Sequence, residues 1–527
     1  MKKIMKKIMK LALCTALFVG LSACAASGTD KTSENASEKV SEAVNESSES
    51  KEAKEKKIKI AVSFAYPSLD THKEYYGWYT NMYGVSQALF SINENMELKT
   101  LLADSYKTEG SVTEITLKDK VEFSNGKKLT AEMAVKNLER AAEVNKRYAY
   151  MKDFEFKVLD ELKFSIDTKE VYPTLVNDLA SPELGMLDLE EGVDLDSAPV
   201  GTGPFVIKEF IPNGDVSVEK NTNYWEKDVV LDGADFIYLK DDDAKLLAMQ
   251  NGEIDGYISP SATAIEIFSG DEESYKLSYA VSTRLNFAIL NEKTLDKDLR
   301  FAINSAIDKN SIKEFLGANV SVAKSPFSEN VAYGKANDIE HNLENSKKAL
   351  ENAGYTKNDA GIYEKDGKTV NVNIAYYNAR GLDTTATLIH EQLQKAGIDS
   401  TLKAYEDPDS TYIASGDFDI ALYSMISDKV GDPYYFIDAT LREGAYFDVG
   451  GFDSDKAAEL IEKLKLSTKK EERAELANEI VQLAIDDNAF NYLSIFNKVT
   501  VLNKGLSNYS ENLPFDFYGL NADTDIE

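Results

Sequence analysis

Cysteine is almost missing from this 527-residue chain: there are two, Cys14 and Cys24, both close to the N-terminus. The remainder can form neither an internal disulfide nor a cysteine metal site. Histidine is nearly as scarce, with His72, His341 and His390 widely spaced, so a three-histidine site is the one such metal centre still conceivable. His390-Glu391 opens like a zinc-protease helix, but position 394 is Gln and the second ligand is missing. Gly361…Gly367-Lys368-Thr369 resembles a phosphate loop with one residue too many, and a hairpin accounts for it better. Gly201-Thr202-Gly203 is followed by Val206 where a dinucleotide fingerprint needs its third glycine, and no G-x-S-x-G elbow occurs. The expectation is a protein that is not an enzyme and holds no cofactor of its own. Positive charge is also in deficit, with 59 Lys and Arg against 90 Asp and Glu, a net −31. Such a surface repels nucleic acid and anionic lipid head groups and is compatible with a cationic ligand, although solubility alone also explains it.

Long apolar runs are absent too. The longest, LALCTALFVGL at 11–21, is too short for the roughly 20 residues that a bilayer-spanning helix needs. It follows Lys2, Lys3, Lys6, Lys7 and Lys10, the pattern of a secretory signal peptide. Leu21-Ser22-Ala23-Cys24 looks like a bacterial lipobox, which implies a signal peptide over 1–23 and lipidation of Cys24. Residues 24–57 are, after Cys24, mostly Ser, Glu, Lys, Ala, Asn and Thr, with Val40 and Val44 as their large aliphatics up to the following strand. They read as a disordered tether on the outer face of the cell membrane.

What remains is a body of roughly 470 residues, too long for one core, so two lobes are expected. Residues 57–63 (KIKIAVS) alternate like a strand, and 114–117 and 121–123 read as two more. Ser124-Asn125-Gly126-Lys127 is a hairpin-type turn, and Thr130 is an N-cap for a helix to about Glu143. Strands are expected at 205–207, 216–218, 368–377 and 418–423. Helices are expected at 299–312, at 384–396 with Gly397 as the stop, at 454–465 and at 471–485. The alternation argues for α/β layers.

Aromatic residues are plentiful: 28 Tyr, 23 Phe and 2 Trp. Tyrosine offers an apolar face and a polar tip, which suits a cleft closing on a polar ligand, although most rings serve core packing. Clusters at Tyr75-Tyr76-Gly77-Trp78-Tyr79, Tyr376-Tyr377 and Tyr434-Tyr435 are candidates for a pocket wall, with Tyr423 at the end of its strand.

Several segments together resemble the peptide/nickel family of ABC solute-binding proteins, family 5. They are Leu101-Leu102-Ala103-Asp104-Ser105-Tyr106; Val121-Glu122-Phe123-Ser124-Asn125-Gly126 running on to Thr130-Ala131-Glu132; Gly201-Thr202-Gly203-Pro204-Phe205 with Asn223-Tyr224-Trp225; Asp298-Leu299-Arg300-Phe301-Ala302; and Phe418-Asp419-Ile420-Ala421 with Gly431-Asp432-Pro433. Ala134-Val135-Lys136-Asn137-Leu138-Glu139-Arg140-Ala141 and Tyr377-Asn378-Ala379-Arg380 resemble the nickel or metallophore branch. Met82, Gln87 and Asp448 depart from it.

The resemblance implies a two-lobed periplasmic-binding-protein-like fold (type II, cluster C) with a cleft between the lobes. The N-terminal lobe would span 58–285, completed by 495–527, and the C-terminal lobe 286–494. It implies capture of a small metal chelate for an ABC importer, the metal arriving with the ligand, with a permease and an ATPase as partners and a monomer as the working form. The runner-up ligand is a short peptide. Trp78, Arg140, Arg380, Tyr423, Asp428 and Tyr434 are the implied ligand contacts. Arg140 has two readings, because it lies opposite the apolar stripe of its helix: a solvated surface arginine, or a carboxylate clamp in the cleft. Arg380 has the same two. Asp428 would take the α-amino group of a peptide.

Overall fold

The computed structural model describes residues 55–511, 513–515 and 517–527. The signal peptide, Cys24 and nearly all of the tether lie outside the described residues. Glu55–Glu527 forms one compact unit.

Its backbone is an eleven-stranded mixed sheet. The strand order is Asp399–Tyr405, Asn371–Tyr377, Ile420–Ile426, Tyr275–Leu290, Phe490–Asn503, Gly256–Ile258, Lys57–Val62, Gly233–Tyr238, Val216–Lys220 and Phe205–Phe210, with Val320–Val322 added on Phe490–Asn503. The two long strands at the middle, Tyr275–Leu290 and Phe490–Asn503, pair antiparallel and join the two halves of the sheet. Each half has its own packed cluster. Ile58, Ile60, Val218 and Phe236 lie in one, and Ile303, Ile374, Ile389 and Leu422 in the other. A separate antiparallel sheet of Ala103–Glu109, Val112–Leu117, Lys163–Asp167 and Glu155–Val158 packs under the helix Ala131–Val144.

Local sequence explains the elements. In Leu382–Ala396 the residues Leu382, Ala386, Ile389, Leu393 and Ala396 are buried at helical spacing, and Gly397 ends the helix at φ 85°. Thr130 accepts the Met133 N–H at 3.3 Å and starts Ala131–Val144. The phosphate-loop look-alike is indeed a hairpin, Tyr363–Lys365 against Lys368–Thr369. Three expectations are corrected. The strand expected over 368–377 is two, Lys368–Thr369 in that hairpin and Asn371–Tyr377 in the main sheet. Residues 121–123 form no strand, only an isolated bridge from Glu122 to Lys128. The helix expected over 299–312 is two helices, Lys297–Ala306 and Lys309–Leu316. Asp308 accepts the Asn310 and Ser311 N–H groups and restarts the chain as a cap.

The ladder between the two long strands is interrupted. Tyr275 to Val281 face Asn503 to Asn497 one for one, and then Leu285 meets Ile495. Ser282, Thr283 and Arg284 therefore oppose the single residue Phe496. A second shift lies between Asn286 and Phe287. Such bulges break the ladder and re-aim side chains. The lobe boundaries expected at 285/286 and 494/495 fall beside these shifts, and Asn286 and Ser494 are register partners.

Candidate functional site

The bulge opens into a cavity of about 170 Å³. Ser282, Thr283 and Arg284 form one wall, Phe496, Asn497 and Lys498 another, and Trp78, Arg380 and Phe515 close it. Trp78 comes from the short helix Tyr76–Met82, its ring edge-on to Phe515 and Phe517. Its indole N–H donates to Glu183 at 3.1 Å. Lys498 donates to the carbonyls of Ser510 at 2.9 Å and Leu513 at 3.1 Å, which pins the C-terminal tail over the cavity.

Backbone geometry aims the arginines. Arg380 is held at φ 57°, followed by Gly381 at φ 69°, and its carbonyl accepts from Asn286 at 2.9 Å. Ser259, on the same wall, is at φ 55°. Left-handed backbone at non-glycine residues is strained and gathers where geometry serves a ligand.

Among the described residues neither Arg284 nor Arg380 has an ion-pair partner, in a chain with a large excess of carboxylates. Burial, and then the Arg380 cation, press the Arg284 guanidinium down to about 10. It stays charged at neutral pH. The half-buried Arg284 guanidinium, with the exposed Arg380 beside the same cavity, favours an incoming carboxylate, which each can hold with paired N–H donors.

Four of the expected contacts, Arg140, Asp428, Tyr423 and Tyr434, lie outside this cavity. The Arg140 guanidinium donates to both Asp70 carboxylate oxygens, at 2.9 and 2.5 Å, and to His72 Nδ1 at 2.8 Å. His72 Nε2–H in turn donates to the Gly185 carbonyl at 2.9 Å. Burial presses His72 down to about 4, and Arg140 adds to this. Burial alone would raise the Asp70 carboxyl, but the Arg140 hydrogen bonds and charge hold it below its usual range. Arg140 is thus neither freely solvated nor aimed at the cavity.

Asp428 turns into its own loop. One oxygen accepts the N–H groups of Val430, Gly431 and Asp432 at 3.2, 2.7 and 3.2 Å, and the other accepts from Tyr333. Burial raises its carboxyl to about 7. Tyr423 donates to Asp409 at 2.9 Å and packs against Tyr377 and Phe447. Tyr434 lines a second cavity of about 330 Å³. His341 and His390 are bound to Ser305 and Ser400, and no group of three metal-ligating side chains occurs among the described residues.

Arg284 escaped the sequence reading. The signal open to it was a charged residue directly before the apolar run LNFAIL, where a buried strand has no use for one unless it is re-aimed.

The nickel-binding protein NikA of Staphylococcus aureus is 25% identical over 450 residues, 84% of this chain and 89% of that protein. The oligopeptide-binding protein AppA of Bacillus subtilis is 24% identical over 470 residues, 82% and 84% of the two chains. The nickel ABC transporter structure from Bacillus halodurans superposes with a TM-score of 0.82 at 24% identity, over 90% of this chain and all of that one. The fold is that of the two-lobed solute-binding proteins. The profile of the bacterial extracellular solute-binding proteins, family 5 (middle region), matches residues 97–448, and the chain belongs to that family. It is a binding protein of the ABC-transporter type, not an enzyme. No helix among the described residues is long and apolar enough to cross a membrane.

Proposed function

We propose that this protein captures a carboxylate-bearing chelate of a transition metal, nickel foremost, and delivers it to an ABC importer. The single observation that carries this reading is the Arg284–Arg380 pair, unpartnered among the described residues and facing one cavity beside Trp78. The arginines hold carboxylates of the chelator while the chelator holds the metal, so the chain needs no ligating histidine or cysteine. Likeness to NikA supports nickel. Closure turns the halves about the bulged strands near Asn286 and Ser494, and the ligand stabilises the closed form. Cys24 carries the lipid that keeps the protein at the membrane, and a permease and an ATPase complete the importer.

The peptide reading has likeness to AppA in its favour. Against it stands the engagement of Asp428 with its own loop, where it accepts from the Gly431 N–H and from Tyr333.

Native mass spectrometry with metal analysis, on protein purified without chelators, tests the proposal. A bound mass containing nickel or another transition metal plus a carboxylate chelator is expected. A ladder of peptides without metal would overturn it.

A further inference from the structure

One buried carboxylate stands between the two cavities and lines neither. Glu183 is 4% exposed and sits in the short turn Pro182–Leu184. Its Oε1 accepts the Trp78 indole N–H at 3.1 Å, and its Oε2 accepts the Tyr148 hydroxyl at 3.2 Å. Trp78 closes the arginine cavity, and Tyr148 lines the second one. Arg147 comes to 3.9 Å, beyond hydrogen-bond reach, with its guanidinium over the Tyr75 ring. Burial raises the Glu183 carboxyl, and its own N–H, the Arg147 charge and the two ring donors act against that. A carboxylate so placed costs the fold stability, because neutral ring donors replace the water it leaves.

What the arrangement secures is the angle of one ring. Trp78 meets Phe515 and Phe517 edge-on, at interplanar angles of 74° and 64°. Such contacts hold a ring without fixing its rotation, whereas a hydrogen bond at Nε1 is directional. The backbone is arranged for the same contact. Gly77, next to Trp78, lies so close to the turn that a Cβ there would stand 2.5 Å from the Glu183 Cα. Glycine lets the helix Tyr76–Met82 dock on Pro182–Leu184 at that distance. The residue after the turn, Gly185, accepts from His72 at 2.9 Å, which holds the turn from the other end.

We infer that Glu183 is a positioning residue: it fixes the Trp78 indole as a wall of the arginine cavity and so sets the affinity for the ligand held there, without touching that ligand. Its effect on affinity rests on the arginine cavity as the ligand site. Its hold on Trp78 does not.

Trp78 and Trp225 are the two tryptophans of the chain, so Trp225→Phe leaves Trp78 as the single indole emitter. Acrylamide quenching is measured on the full-length chain in detergent, without ligand. Glu183→Met keeps the length of the side chain and removes the acceptor. It should raise the quenching constant of Trp78 about twofold, whereas Glu183→Gln, which keeps an acceptor oxygen, should stay near the parent. Unchanged quenching in Glu183→Met, or an equal rise in Glu183→Gln, would overturn the positioning role. Affinity is read by titration calorimetry with nickel(II) citrate, a carboxylate chelate. Glu183→Met should weaken binding about fivefold when Trp78 is present and change it little once Trp78→Phe has been made. An equal loss with and without Trp78 would mark Glu183 as merely structural and overturn its role in affinity. If the parent binds no nickel citrate, the loss falls on the arginine reading, and the quenching alone decides the hold on Trp78. Should Glu183→Met not fold, Glu183→Ala takes its place in both measurements.

Discussion

Arg140 and Arg284 are the same residue type in opposite circumstances. Arg140 meets a carboxylate, Asp70, that is 1% exposed and has both oxygens satisfied, with a neutral imidazole behind it. Arg284 meets another arginine and a cavity. The first arrangement ties the loop around Asp70 and His72 to the helix Ala131–Val144. The second leaves positive charge waiting. A buried charge that has found its partner maintains the fold, and one that has not points to a ligand.

Substitution should separate the two. Arg140→Ala leaves Asp70 buried with only Lys73, at 3.3 Å, as a cation, and should cost about 3 kcal/mol of stability in urea denaturation. A loss below about 1 kcal/mol would mean that the Arg140 network is not structural. Arg284→Ala relieves repulsion, so it should leave stability level or slightly higher. It should also lower affinity for the metal species recovered in native mass spectrometry by about tenfold or more. Ligand binding that survives both Arg284→Ala and Arg380→Ala would sink the carboxylate clamp.

A smaller effect is expected from pH. His72 is near 4 folded and near 6.5 unfolded, so the unfolded chain binds the extra proton between those values. Stability should fall as pH drops from 6.5 towards 4, and His72→Gln should flatten that slope. Asp428 acts with the opposite sign. Its folded value of about 7 lies above the unfolded one, so its contribution declines as pH rises from 3.8 to 7. Asp428→Asn should therefore steepen the acid loss, a difference readable in urea midpoints across pH.

Much of the fold was legible because it rests on local rules. The strand at 57, the cap at Thr130, the stop at Gly397 and the helices near 455 and 470 come from periodicity and caps within a few residues. The split at Asp308 was missed because a capping aspartate inside a helical pattern looks like any polar surface residue. Trp78 stood out through its aromatic cluster and Arg380 through the family resemblance, and both line the first cavity. Arg284 was not, since nothing near it in sequence shows that three residues of one strand oppose a single residue of another.

The sequence by itself determined the class of protein. The scarcity of cysteine and histidine, the broken catalytic motifs and five ordered blocks all lie along the chain and need no contacts to be read. Only the tertiary structure decided which charges are free. Arg140 and Asp70 are 70 positions apart, and Arg284 and Arg380 meet from separate elements. Whether a guanidinium finds a carboxylate depends on long-range packing, and no local pattern in the chain encodes that distance.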